Sequence, residues 1–334
     1  MAAQRLRFWI FLAKRLLAGF IMILVTASFT FFLVRLMPGN PIEARLNTLV
    51  SEGVPVIQAT HEVQIMYAYM PKAPVIQQWG LYIWSILHFN LGQSITYEGV
   101  PVIHLIMAAL PWTLILVLLG IIASFIIGIG LGVLAAVGRN SGRGQGITLF
   151  STLMHGIPQF VMAVLLAYVF TTIWPIFPFG APYSASVTPG FTFQFLSNLA
   201  YHQVLPVATY AISGFGGYAL VMKASVVGVL GDDFILASEI RGISQGIRLK
   251  YIAHNAILPL FTSFTIGLGF VFGGSVFIER IFDDPGLGNL LLLSVNNSDY
   301  PTMQGAFLLI TVAVIFFNVV ADLMYPLIDP RIRQ

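Results

Sequence analysis

The sequence predicts an all-α, polytopic membrane protein, and three observations carry that prediction. Hydrophobic residues make up 57% of the chain and charged residues only 9%, where a soluble domain carries about 25% charged residues. The mean hydropathy is +0.88. Six apolar stretches recur, at 16–36, 105–137, 147–174, 204–222, 258–278 and 305–325, each near or above the roughly 20 residues that a helix needs to cross a bilayer. In hydrocarbon every backbone N–H and C=O must be bonded inside its own segment, which makes each stretch a helix.

Taken in order, the first stretch is preceded by Arg5, Arg7, Lys14 and Arg15, as a signal peptide would be. It is long enough to span, however, and is followed by Met37-Pro38-Gly39-Asn40-Pro41 and not by a small-residue cleavage site, so it reads as a retained helix. The segment 38–104 carries Trp79, Tyr82, Trp84 and Phe89 among apolar residues. These are either an aromatic belt at the membrane surface or a dock for an external partner. In the second stretch, Gly128, Gly130 and Gly132 are expected to allow close helix packing. His155, in Met154-His155-Gly156-Ile157-Pro158, and Asp322 in the last stretch are the ionisable residues inside spans. Helix packing or interfacial solvation accounts for them, and a proton relay is the competing idea. The segment 175–202, rich in proline, glycine and aromatic residues, either caps the bundle or covers a pore mouth.

Basic residues give the orientation. With the N-terminus inside, Arg5, Arg7, Lys14, Arg15, Arg139, Arg143, Lys223, Arg241, Arg248, Lys250, Arg331 and Arg333 are cytosolic, and only Arg35, Arg45, Lys72 and Arg280 lie outside. That asymmetry predicts cytoplasmic termini and a cytoplasmic segment 223–257.

Within this inner segment Phe234, Ala237, Ser238 and Arg241 recur at helical spacing, and Gly242 is placed to stop the helix. Ser244 then caps a second helix, with Ile247, Tyr251 and Asn255 on one face and Arg248 on another, running into Pro259. Two readings stay open. The segment is a solvated loop, or it docks a cytosolic partner, with Phe234 and Ile240 as anchors and Ala237 and Ser238 allowing close approach.

Several chemistries are not supported. None of the four lysines follows a glycine, so there is no phosphate-binding P-loop. There is no His-Glu-x-x-His, no Gly-x-Ser-x-Gly and no cysteine, which removes the usual zinc and serine-nucleophile signatures together with disulfides and thiolate sites. A net charge of +3 gives no reason to expect nucleic acid.

The small residues before Gly242, with Leu258-Pro259 after it, resemble the cytoplasmic coupling loop of ABC importer permeases. Further pieces resemble the dipeptide, oligopeptide and nickel branch of that family: Arg15-Leu16-Leu17, Asn90-Leu91-Gly92-Gln93-Ser94, Pro101-Val102, Leu110-Pro111-Trp112-Thr113, Asp283-Asp284-Pro285-Gly286-Leu287-Gly288, Asp299-Tyr300-Pro301, Tyr325 and Asp329-Pro330-Arg331-Ile332-Arg333.

The resemblance implies a type I ABC importer permease fold, a single membrane domain over 1–334 with an extracytoplasmic segment 38–104 and a coupling loop 223–257. It implies ATPase coupling through Phe234, Ala237, Ser238, Glu239, Arg241, Gly242, Leu258 and Pro259. It implies an outer gate or binding-protein dock at Asp283, Asp284, Pro285, Gly286, Gly288, Asp299 and Tyr300. The implied partners are a second homologous permease forming a heterodimer, two ATPase subunits that bind the ATP and Mg, an extracellular substrate-binding protein and membrane lipid. No catalysis and no cofactor are implied for this chain itself. Peptides are the implied cargo, with oligosaccharides or nickel as alternatives. A self-sufficient channel, a proton-coupled carrier and a membrane scaffold are the readings from other classes. Where the family pattern has arginines, this chain has Glu239, and Leu220-Val221 before Lys223.

Overall fold

A computed structural model describes residues 2–36, 41–67 and 73–328. The motifs at 37–40 and 329–334 and residue Lys72 lie outside these, as do the side chains of Glu239, Leu258 and Tyr325.

The described residues form helices and no strand, as expected: α1 (Ala2–Leu36), α2 (Pro41–Ser51), α3 (Val56–Tyr67), α4 (Val75–Leu87), α5 (Val102–Val137), α6 (Gly142–Gly156), α7 (Gln159–Ala167, continued by a π-helical turn Tyr168–Ile173), α8 (Phe193–Val229), α9 (Asp233–Ile240), α10 (Gln245–Gly274), α11 (Val276–Phe282), α12 (Leu287–Asn296) and α13 (Tyr300–Ile328). Among them, four stretches are long and apolar enough to cross a membrane: Trp9–Leu36, Val102–Val137, Phe193–Val229 and Tyr300–Val320. The third expected span is not straight. It falls on Gly142–Gly156 and Gln159–Ile173, bent by 98°, because Pro158 has no N–H to continue the helix and disfavours helical backbone before it. The fifth expected span lies in α10 only as far as Gly274, since the helix is interrupted at Ser275 before α11.

The chain divides into two compact units, Met1–Pro111 with Gly286–Val319, and Trp112–Pro285 with Val320–Gln334. In the first, the segment after α1 is not an extended loop. Its three helices α2 to α4 bury Leu49, Ala59, Val63, Met66 and Tyr82 against Ala27 and Phe31 of α1 and Leu308 of α13. The Trp79 indole donates to Ser28 Oγ at 3.0 Å, Arg35 lies over the Phe31 ring, and Gln304 donates to the Thr30 carbonyl at 3.1 Å. Of the four aromatic residues noted there, Trp79 and Tyr82 therefore belong to the packing, and Trp84 and Phe89 face outward.

In the second unit α8 is the central helix. It packs on α5 along matched four-residue stripes, with Gly120, Ser124, Gly128 and Gly132 meeting Tyr210, Gly214, Tyr218 and Met222 in register. A Cβ at Gly120 would fall 2.6 Å from Tyr210 Cβ, and one at Gly132 would strike Met222 Cβ. Small residues thus bring the two backbones together where lipid supplies no hydrophobic drive for association. Gly130, expected in this role, faces open space, because it sits off the stripe. On another face of α8, Gly216 and Gly217 receive Ser151 and His155 of α6. The segment 175–192 is tied to the start of α8, where Asn198 Oδ1 accepts from the Ser184 amide at 2.8 Å, and to α5, where Trp112 stacks on Tyr183.

Candidate functional site

Two features of the second unit carry functional character. The first is α9 with its turn. Ile235 and Ser238 point inward, into a cluster formed by Ala136 of α5, Met222 and Val226 of α8, and Ile252, Ala256 and Leu260 of α10. Ser238 Oγ donates to the Ile235 carbonyl at 2.7 Å, so its hydroxyl is satisfied within the helix. Phe234, Ala237, Ile240 and Arg241 point the other way and are exposed, Ile240 at 79%. A short helix with a second apolar face left exposed among the described residues is unusual for a solvated loop.

Gly242 takes φ +72°, and the Ile243 amide donates to the Ser238 carbonyl at 3.1 Å. This is the six-residue bond of a left-handed C-terminal cap, the conformation glycine adopts without penalty. Ser244 stands at the N-cap of α10, but its side chain makes no capping bond. Pro259 lies inside α10.

The second feature is a cleft of about 570 Å³. Its wall is formed by Ser124 of α5, His155 at the end of α6, Gln159 of α7, a stripe of α8, and Ser263 and Gly267 of α10. The α8 stripe is Tyr210, Ser213, Gly214, Gly217, Tyr218 and Val221, one face at three- and four-residue spacing. Ser213 borders the cleft, and its Oγ donates to the Thr209 carbonyl at 2.8 Å, so the oxygen keeps its capacity to accept. The Tyr218 hydroxyl reaches over Gly267, where a Cβ would lie only 2.8 Å from it. The break between α6 and α7 also opens on this wall, through Ile157 and Pro158. Non-helical backbone and polar side chains at membrane depth are tolerated where they line a wet cavity. His155, considered above for helix packing, has both positions: its ring rests on Gly217 and it borders the cleft. The remaining cleft residues were not singled out from the sequence, although the α8 spacing was there to be read.

The outer-loop residues form two separate bonded nodes. In the second unit, Asp283 is exposed in a left-handed conformation, φ 54°, at the end of α11, and Pro285 is exposed beside it. Asp284 is buried, its Oδ1 accepting from Gln203 Nε2 at 2.8 Å. Burial pushes its carboxyl up to about 7, the Gln203 bond opposes this, and the neighbouring Glu279 and Asp283 add to the rise. Glu279 is fully buried and accepts from Thr113 Oγ1 at 2.8 Å. In the first unit Gly286 and Gly288 are buried at the start of α12. Asp299 is buried there too, accepting from Ser94 Oγ, from the Thr96 amide at 3.2 Å and from the Thr302 amide at 3.2 Å. That makes it the N-cap of α13, with Tyr300 as the first helical residue. Of the three acidic residues expected at this gate or dock, Asp284 and Asp299 are therefore interior and Asp283 is exposed.

Comparison with known proteins agrees with the helical architecture. The chain is 30% identical over 324 residues to the oligopeptide transport system permease protein OppB of Haemophilus influenzae, covering 97% of this chain and 99% of the relative. It is 29% identical over 324 residues to the oligopeptide transport system permease protein AppB of Bacillus subtilis, with the same coverage. It is also 29% identical over 321 residues to the nickel import system permease protein NikB of Staphylococcus aureus, covering 96% of this chain and 90% of that one. Residues 128–334, which hold α9 and nearly all of the cleft, match the profile of the binding-protein-dependent transport system inner membrane component. The chain belongs to that family of ABC transporter permeases, in its dipeptide, oligopeptide and nickel branch.

Proposed function

We propose that the protein is one permease subunit of an ATP-driven importer and forms half of the pathway for peptides delivered by an extracellular binding protein. The observation that carries this reading is α9: anchored to the bundle by Ile235 and Ser238, it offers Phe234, Ala237, Ile240 and Arg241 to something outside the chain. A partner ATPase, holding the ATP and Mg, grips that face. Gly242 sets the angle to α10, and Leu258-Pro259 is the flexing point beyond it. The partner set is a second homologous permease, two ATPases and the binding protein, with both termini and the segment 223–257 on the cytoplasmic side. Asp283 and Pro285 are the outer-loop positions free to meet the binding protein.

Peptide is favoured over nickel by the kind of groups on the cleft wall. Hydroxyls, an amide and aromatic faces, with a single imidazole at His155 among the described lining residues, match peptide N–H and C=O groups better than they replace the water around a divalent ion. The test is purification of the complex on this chain, followed by reconstitution in vesicles with the loaded binding protein. Two P-loop ATPases and a second permease are expected to co-purify, with ATP-dependent uptake of labelled peptide exceeding that of radioactive nickel. Solute flux through this chain alone, independent of ATP, would overturn the proposal.

A further inference from the structure

The cleft is lined by groups without formal charge. Ser124, Gln159, Tyr210, Ser213, Tyr218 and Ser263 contribute hydroxyls, an amide and ring faces, and His155 at the rim is the one imidazole. Among the described residues of this wall there is no carboxylate, lysine or arginine. Ser213 is one of the residues lining the cleft, near the middle of the expected span 204–222, and on the same α8 stripe as Tyr210 and Tyr218. Groups that offer hydrogen bonds and aromatic contact, but no fixed charge, favour no particular side-chain charge on what passes.

We infer that cargo moves along this wall in contact with Ser213, and that the wall's neutrality leaves peptides unsorted by side-chain charge, so that a charge placed at Ser213 would impose selection. The inference rests on the importer reading and adds to it the route and the residue. It follows physically from the low dielectric around the cleft: a unit charge a few ångströms from a passing charged side chain shifts its passage on the order of tenfold, even with partial hydration.

The chain contains no cysteine, which allows the charge to be added after folding. In the reconstituted complex, Ser213→Cys is reacted with a cationic, an anionic or a neutral methanethiosulfonate. Each attaches through a disulfide as methanesulfinate leaves, and the unsubstituted chain in the same complex is the control. Uptake is compared for an acidic, a neutral and a basic tripeptide, each delivered preloaded on the binding protein. The cationic adduct is expected to lower uptake of the basic relative to the acidic peptide about tenfold, and the anionic adduct to reverse the preference. The neutral adduct should leave the ratio unchanged. Identical ratios for all three adducts, or a thiol unreactive toward the charged reagents, would overturn the inference. Absence of ATP-driven uptake by the unsubstituted complex would instead count against the importer reading.

Discussion

The two faces of α9 predict opposite consequences for substitutions one and a half turns apart. Ile240 is 79% exposed; if a partner covers it, nearly all of the 1.5–3 kcal/mol available from burying an isoleucine is gained in the complex. Ile240→Ala should therefore weaken ATPase association by about 2 kcal/mol, or about thirtyfold in affinity, and leave the chain's own stability within about 0.5 kcal/mol. Ile235, at 6% exposure among Met222, Val226 and Ile252, predicts the reverse. Ile235→Ala leaves a cavity that costs about 2–5 kcal/mol of folding stability, with association affected only through unfolding. Ala237→Asp on the outer face is the severe case, because an unpaired carboxylate pressed into an apolar groove costs about 3–5 kcal/mol. Uptake should then be abolished while membrane insertion and the melting temperature are retained. The assays are pull-down of the ATPases at graded concentration, thermal melting in detergent and uptake in vesicles. Normal uptake by Ala237→Asp, or a melting temperature lowered by Ile240→Ala as much as by Ile235→Ala, would refute the reasoning.

The packing of α5 on α8 predicts that Gly128→Val and Gly132→Leu prevent a stable fold, since even a Cβ meets Tyr218 or Met222. Gly130→Ala, facing open space, should be neutral or slightly stabilising in the same detergent melts. For Asp284 the folded carboxyl titrates near 7, above its ordinary value of 3.8. The native state then binds the extra proton between those values, so stability falls as pH rises from about 4 to 7 and levels off above. Asp284→Asn removes that slope, gaining stability over the wild type at pH 8 and little at pH 4; parallel melting curves for the two across this window would refute the assignment. Asp299→Ala deletes the cap of α13 and the bonds from Ser94 and Thr96, an expected loss of about 1–3 kcal/mol visible as faster proteolysis near residue 299.

The helical spans were legible because roughly 20 apolar residues in a row leave a chain few other options. The Gly242 stop was legible for a similar reason: a glycine after a short helical pattern has one common use, and its φ of +72° fits it. What the sequence hid was which way side chains face. Asp284 and Asp299 look like surface acids in a turn, yet both are interior acceptors. Ser238 looks like part of an exposed small-residue patch, yet it turns inward. In the spans the difficulty is sharper, since helices apolar all round have no polar face to orient them. The cleft becomes visible only when Tyr210, Ser213, Gly214 and Gly217 are counted as a single stripe, and Gly130 drops out only when Gly120, Gly128 and Gly132 are counted as another. In the segment 38–104 the aromatic residues suggest a belt or a dock, and only tertiary burial on α1 accounts for its three helices.

The α9 turn and the cleft share an element, α10. From Ile247, exposed beside the Gly242 turn, to Gly267, opposite the Tyr218 hydroxyl, α10 is one uninterrupted helix. Twenty residues at 1.5 Å each make that a lever of about 30 Å. The lower part is clamped by Ile252, Ala256 and Leu260 into the same cluster that holds Ile235 of α9, so the two inner helices move as one piece. Pro259 falls at the end of this clamped section, and its missing N–H leaves the Asn255 carbonyl without its helical partner. Bending is least costly there. If a partner displaces α9 as proposed, the part beyond Pro259, which carries Ser263 and Gly267 against the wall, is expected to tilt with it. Because the Tyr218 hydroxyl leaves no room for even a Cβ at Gly267, any tilt toward α8 must move the tyrosine, and any tilt away must open the cleft. Under the proposed coupling, transmission from α9 to the cleft needs no chain of side-chain rearrangements, only one helix with a stiff end, a soft point and a tight contact.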